Sequence, residues 1–162
     1  MAAVDYFLKI DGIEGESTDS KHKNEIDIAT WSWGETNAGT SAHGGGRGAG
    51  KVVMQDFSFT KQVDKSSPKL FLHCATGKHI KEVLFVARKA GTEQQEYHKI
   101  KLHHVLVSSL QMSGGSGDDV ASTEQISFSF AKIEQTYAPQ DEKGKLGSPV
   151  IHHYDVNAQV GG

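Results

Sequence analysis

A regular alternation of apolar and polar residues that changes step at two places is the feature that most limits how this chain can fold. Successive side chains on an extended strand point to opposite faces, so an apolar series of one parity marks a strand with one buried face. Segment "VDYFLKI" places Val4, Tyr6, Leu8 and Ile10 on one face and only Phe7 on the other. In "EIDIATWSWG" the parity switches: Ile26 and Ile28 share one face, while Trp31 and Trp33 share the opposite one. In "ISFSFAKIEQTY" Ile126, Phe128 and Phe130 are in step, but Ile133 and Tyr137 are out of step with them, which predicts a bend near Ala131. A one-residue slip turns every later side chain over, so each switch demands a bulge or a corner. Strands that turn corners let a sheet cover its own edges. The expected fold is therefore mainly β, a small antiparallel β-barrel made of two packed sheets.

"EVLFVARK" and "KVVMQDFSFTK" read as further strands, and "HKIKLHHVLVSSLQM" as a long one. In the last, Ile100, Leu102, Leu106, Leu110 and Met112 share one side, with Val105 and Val107 on the other. One segment has a different rhythm. "SSPKLFLHCATG" offers Ser67 as N-cap, Pro68 at the first helical position and Gly77 as a left-handed terminator. It predicts one short flanking α-helix near residues 68–76, with Leu70, Phe71 and Cys74 on the face that lids the barrel. Cys74 is then a packed thiol rather than a nucleophile.

A chain of 162 residues is enough for one sizeable core, so a single domain over 1–162 is expected. Its 17 basic and 20 acidic residues leave a net charge of -3, which lacks the basic footprint that nucleic acid requires. The lone cysteine cannot form an internal disulfide, which suits a chain made in the cytoplasm. "MAAVDYFLKIDG" has no basic leader or long apolar block, and no run is long enough to span a bilayer, so neither signal-peptide export nor membrane insertion is expected.

"HGGGRGAGKV", residues 43–52, imitates a phosphate cradle: Gly45 and Gly50 are spaced as in G-x-x-x-x-G-K-[ST], and Lys51 follows. A phosphate- or nucleotide-binding protein built on residues 45–51 is one alternative reading. Against it, Val52 stands where a hydroxyl should hold magnesium, and the flanks offer no strand before and no helix after. A monomeric β-barrel that binds a small ligand is a second alternative. The nine histidines include the pairs His103-His104 and His152-His153, but neighbours on a strand point to opposite faces and cannot share one ion. Asp118 and Asp119 lie in a Gly- and Ser-rich turn, where solvation is their expected role. No nucleophile elbow is present. Hence no catalytic, cofactor or metal residues are assigned. Trp31 and Trp33 are expected as core or interface anchors, and by alternation Ser32 faces away from them.

Three long blocks, "DGIEGESTDSKHKNEIDIATWSWG", "KVVMQDFSFTKQVDKSSPKLFLHCATGKHI" and "VLVSSLQMSGGSGDDVASTEQISFSFAKIEQTYAPQ", together resemble the haemolysin co-regulated proteins (Hcp), tube subunits of the bacterial type VI secretion system. The resemblance spans nearly the whole chain. It implies a non-enzymatic structural protein that forms hexameric rings, stacked head to tail into a hollow tube inside a contractile sheath. The tube subunit would be made in the cytoplasm, then fired out and secreted without a signal peptide, carrying or chaperoning small effectors in its lumen. The implied partners are further copies of itself, a VgrG-type spike protein at the tip, the sheath, and the secreted effectors. The loop after the tryptophan strand, residues 36–51, is implied to protrude toward the neighbouring ring, with Gly44, Gly45, Gly46, Arg47, Gly48, Gly50 and Lys51 as stacking residues. Ser32 would face lumen and cargo if the opposite face lines the channel. The chain ends soon after "GSPVIHHYDVNAQVGG", so no C-terminal toxin domain is expected.

Overall fold

The computed structural model describes residues 3–41, 47–48, 50–89, 93–117 and 121–162. Among the described residues, fourteen strands and one helix follow each other. They are β1 (Val4–Ile10), β2 (Ile26–Asp27), β3 (Thr30–Ser32), β4 (Glu35–Asn37), β5 (Thr40–Ser41), β6 (Arg47–Gly48), β7 (Val52–Met54), β8 (Phe57–Gln62), α1 (Ser67–Thr76), β9 (Ile80–Lys89), β10 (Glu96–Ser113), β11 (Thr123–Ser129), β12 (Lys132–Tyr137), β13 (Val150–Asp155) and β14 (Val160–Gly161). All pairings between them are antiparallel.

The 18-residue β10 organises the fold. Its first part pairs with β9 on one side and β12 on the other, and its last part pairs with β11. A larger sheet thus runs β2-β1-β9-β10-β12-β13-β14, a smaller one runs β10-β11-β8-β3, and β10 belongs to both. To serve two sheets the strand must turn over. His104 has a positive φ of 52° and the register with β11 shifts between Val107 and Ser109. Consequently Val105 and Val107 are buried in the same core as Ile100 and Leu102. The single parity expected from Ile100 to Met112 is broken by these two irregularities, which leave Leu106 half-buried and Met112 exposed.

Both parity switches fall at corners. Between β2 and β3, the N–H of Ile28 bonds Tyr6 of the larger sheet at 3.0 Å, while the next N–H, of Ala29, bonds Thr60 of the smaller sheet at 2.9 Å. Between β11 and β12, Ala131 donates to the His103 carbonyl at 3.0 Å as the chain changes sheets. The two packed sheets of the expected barrel are formed, but the sheet does not close. At the β2–β3 corner only single hydrogen bonds reach each sheet, and two residues are too few to build a ladder to both neighbours, so the sheet stays open.

Between the sheets lies the core, with Leu8, Ile26, Phe57, Phe59, Phe85, Ile100, Leu102, Ile126 and Phe128 almost wholly buried. Each such side chain contributes about 1.5–3 kcal/mol relative to exposure. Trp31 packs on this core: its ring lies 4.7 Å from Phe85 and stacks on Phe57 at 5.9 Å. Helix α1 packs on β10 through Leu70 and ends at Gly77, whose left-handed φ of 69° brings its N–H to the His73 carbonyl. Its start is one residue earlier than expected, with Ser66 at the N-cap and Pro68 within the first turn. Ser67 is instead used inward, accepting the Asp64 N–H and the Lys61 ammonium. Phe71 does not join Leu70 on the buried face; one helical step of about 100° carries it into solvent.

Candidate functional site: an uncharged sheet face and a hairpin arm

The outward face of the smaller sheet follows from the strands' alternation. Phe57, Phe59 and Lys61 of β8 point inward, so Ser58, Thr60 and Gln62 point out. Register aligns them in rows. Ser32, Ser58, Ser127 and Ser109 form one row across four strands; Thr30, Thr60, Gln125 and Gln111 form the next; Gln62, Thr123 and Ser113 form a third. Every one is a serine, threonine or glutamine. Neighbouring hydroxyls satisfy each other, Ser58 with Ser127 at 2.8 Å and Thr30 with Thr60 at 2.6 Å. Ser32, singled out from the sequence, is exposed at the edge of this face. The signal was available in "FSFTKQ" and "TEQISFS", where hydroxyl and amide residues occupy the alternate positions, but only strand pairing shows that four strands share one wall.

The segment expected as a protruding loop is a β-hairpin arm. β4 pairs with β7, and β5 with β6, each as a two-stranded ladder outside the main sheets. Asn37 Nδ2 donates to the Gly50 carbonyl at 2.8 Å, holding the arm's waist. There the two strands press together: a Cβ on Gly50 would meet the Ala38 carbonyl oxygen at 1.9 Å. Gly50 is thus required by close approach. Arg47 and Gly48 lie in β6 and exposed Lys51 precedes β7, whereas Gly44, Gly45 and Gly46 lie outside the described residues, as do Asp118 and Asp119. The chain after Lys51 is strand, not the helix a phosphate cradle needs. Trp33 sits at the arm's base, half-buried, with its indole Nε1 buried and without a hydrogen-bond partner.

Two buried charge clusters, which the sequence pattern did not single out, fix the frame. On β9, Arg88 is 2% exposed and grips Asp19 with both terminal nitrogens, Nη1 to Oδ1 at 2.9 Å and Nη2 to Oδ2 at 2.7 Å. It also reaches Asp5 at 3.1 Å and lies 4.7 Å from the Phe7 ring centre. His22 stacks on Phe7 at 4.2 Å and bridges Glu25 at 3.0 Å and Glu96 at 2.6 Å. Together these bonds hold the 14–25 connection against β1 and β9. The guanidinium keeps the Asp19 carboxyl well below the usual carboxylate range, and Asp19 in turn raises Arg88. Asp27 moves the other way, raised by burial and then by the nearby Asp19, Asp5 and Asp64 charges.

The second cluster is inside the smaller sheet. Lys61 and Glu124, directly opposite on β8 and β11, are 1% and 0% exposed with Nζ 2.9 Å from Oε2. That contact is ionic without the alignment of a hydrogen bond, since both Glu124 oxygens lack a donor. Lys61 spends its aligned protons on Asp64 at 2.9 Å, Ser67 at 3.1 Å and the Gln62 carbonyl at 3.2 Å, tying the start of α1 to the sheet. Burial raises Asp64, but hydrogen bonds from Ser66 and Lys61 outweigh it and the net shift is downward. Among the described residues, no three His, Cys, Asp or Glu side chains gather in metal-binding geometry, and no helix is long and apolar enough to cross a membrane.

Comparison with known proteins gives this geometry a family. Residues 7–137 match the family described as type VI secretion system effector, Hcp. The chain is 46% identical over 160 residues to protein hcp1 of Pseudomonas aeruginosa, covering 98% of each. Its fold resembles Hcp1 from Salmonella typhimurium with a TM-score of 0.81 at 36% identity, covering 99% of both chains. It also resembles a type VI secretion system effector from Yersinia pestis, with a TM-score of 0.75 at 38% identity, covering 94% of this chain and 100% of that one. With a match over most of its length and relatives this similar, the chain belongs to the Hcp family of type VI secretion system proteins.

Proposed function

We propose that this chain is a non-enzymatic, single-domain building block of a secretion tube: six copies close into a ring, rings stack head to tail, and the hollow tube is driven out by a surrounding sheath behind a spike protein. The observation that carries the reading is the uncharged outward face of the smaller sheet, with its rows of Ser, Thr and Gln. Lysine or carboxylate rows would hold oppositely charged cargo, and apolar rows would adhere to any exposed core. Hydroxyls and amides already bonded to one another and to water do neither, so this face suits the wall of a channel through which effectors pass. Ser32 then faces the lumen.

The hairpin arm, residues 35–54, is the ring-stacking element in this reading. In this reading its paired strands carry Gly48, Gly50 and Lys51 toward the next ring. Work is done by assembly, so the absence of an assigned catalytic group costs the reading nothing. The protein is made in the cytoplasm and leaves with the tube. Negative-stain electron microscopy of the purified chain tests this: rings with a central hole are expected. A chain that remains a monomer at the highest soluble concentration, by light scattering and by microscopy, overturns it.

A further inference from the structure

The 14–25 connection lies over the outward face of the larger sheet, where His22 stacks on Phe7 and Arg88 grips Asp19. Its own backbone bonds make it a unit: Gly15 donates to the Asn24 carbonyl at 2.8 Å, Asn24 to Ser17 at 2.9 Å and Ser17 to Glu25 at 3.0 Å. Among the described residues, one side-chain bond fastens this strap to β10, that of His22 to Glu96. His22 is 5% exposed and both its ring nitrogens face carboxylate oxygens, Nδ1 at 3.0 Å from Glu25 Oε1 and Nε2 at 2.6 Å from Glu96 Oε1. An ionised carboxylate only accepts, and a neutral imidazole has one nitrogen that donates and one that accepts. Both contacts are therefore hydrogen bonds at once only when the trio holds one proton more than a neutral ring between two carboxylates, a proton that belongs to the three groups together.

The charges around the ring favour that proton. Glu25 and Asp19 come from the strap, Asp5 and Arg88 from β1 and β9, Asp27 from β2 opposite Phe7, and Glu96 from β10 with Lys99 at 3.4 Å from it, so carboxylates outnumber cations. We propose that His22 is a proton-dependent latch: the extra proton holds the strap on the sheet, and its loss frees the 20–25 end while the bond of Arg88 to Asp19 stays closed. Without the proton, a nitrogen lone pair meets a carboxylate oxygen and that contact repels. A free imidazole gives up its second proton near pH 6.5, whereas an arginine stays charged throughout. Above that pH the closed strap binds more protons than the open one, so closure weakens as pH rises. Lys21, Lys23 and Glu25 of the strap also wall a cleft of about 600 Å³ against Lys9 and Lys69, and release of the strap opens that wall. The latch is a property of one copy and does not depend on ring formation.

Amide hydrogen exchange of the full chain from about pH 6 to about pH 9, corrected for the intrinsic rate, reads the latch. In wild type the protection of residues 15–25 should fall by up to about tenfold per pH unit above about pH 6.5, the slope of one proton released on opening, while that of β9 stays level. Glu96→Gln should keep the strap closed at every pH, because its amide N–H₂ donates to the nitrogen of a neutral ring that the carboxylate repels. His22→Gln removes the titrating ring and should leave protection low and flat. Glu96 has a side chain 28% exposed, so its variant decides the matter even where His22→Gln does not fold. Flat wild-type protection, an equal fall in the strap and β9, or a wild-type slope in either variant overturns the latch.

Discussion

Replacing Arg88 with methionine should be among the most damaging single changes outside the apolar core. The side chain is 2% exposed and makes a two-pronged bond to Asp19, whose own side chain is 18% exposed. Methionine keeps most of the apolar stem against Phe7 but leaves the Asp19 carboxylate with its remaining backbone donors, from Lys21 and His22, and no counter-charge. Breaking a buried pair in this way costs about 3–5 kcal/mol. The Asp5 bond adds little, because Asp5 is 42% exposed and water screens it. For a chain of this size about 2–4 °C is lost per kcal/mol, so the melting temperature should fall by about 6–20 °C.

The double change Arg88→Met/Asp19→Asn should recover part of that loss, because the stranded charge is gone. Acid provides an independent reading. Asp19 has a folded pKa below its ordinary 3.8, so its stabilisation is fully present above about pH 4 and is lost as pH falls through the folded value. Wild type should therefore weaken below pH 4 in urea titrations, and Arg88→Met should show a shallower acid loss. A destabilisation under 1 kcal/mol, or an unchanged acid slope in the variant, refutes the reasoning.

Three other outcomes are expected. Gly50→Val places a Cβ against the Ala38 carbonyl and should splay the hairpin arm, shortening or abolishing tubes in electron micrographs while the melting temperature of the sheet body changes by less than about 2 °C. Asp27→Asn should raise the melting temperature at neutral pH, because a raised folded pKa means the ionised carboxyl opposes folding; the gain should disappear as pH falls below the unfolded value of 3.8, which differential scanning across pH reads directly. Ser32→Arg puts a charge into a face that has none in its three rows and should change effector retention in co-purification without altering ring formation; unchanged retention counts against that face as the channel wall.

Much of the fold was legible in the chain's alternation, because side-chain parity is a local property of extended backbone. The switches at Ile28–Trp31 and Phe130–Ile133 marked corners where the chain changes sheets, and the Pro68 to Gly77 signals bounded α1 to within a residue. Parity also implied that Ser32 turns away from Trp31 and Trp33. It misled along β10, where a positive φ at His104 and a register shift after Val107 are backbone events that no apolar residue reports. Closure likewise depends on whether two residues, Ile28 and Ala29, can carry ladders to both sheets, and that is settled by pairing rather than by type.

The sequence by itself determined which residues face the same way along each strand, where the strands turn, and which long blocks tie the chain to the Hcp family. Only the tertiary structure decided what lies beside what: that Ser, Thr and Gln from β3, β8, β10 and β11 form one uncharged wall, that Arg88 meets Asp19 across 69 residues, and that Gly48 and Gly50 belong to a paired arm. The physical reason is range. Alternation and capping act over a few residues and leave their mark in order, whereas a wall, a buried ion pair or a cleft is made by segments that pairing brings together from distant parts of the chain.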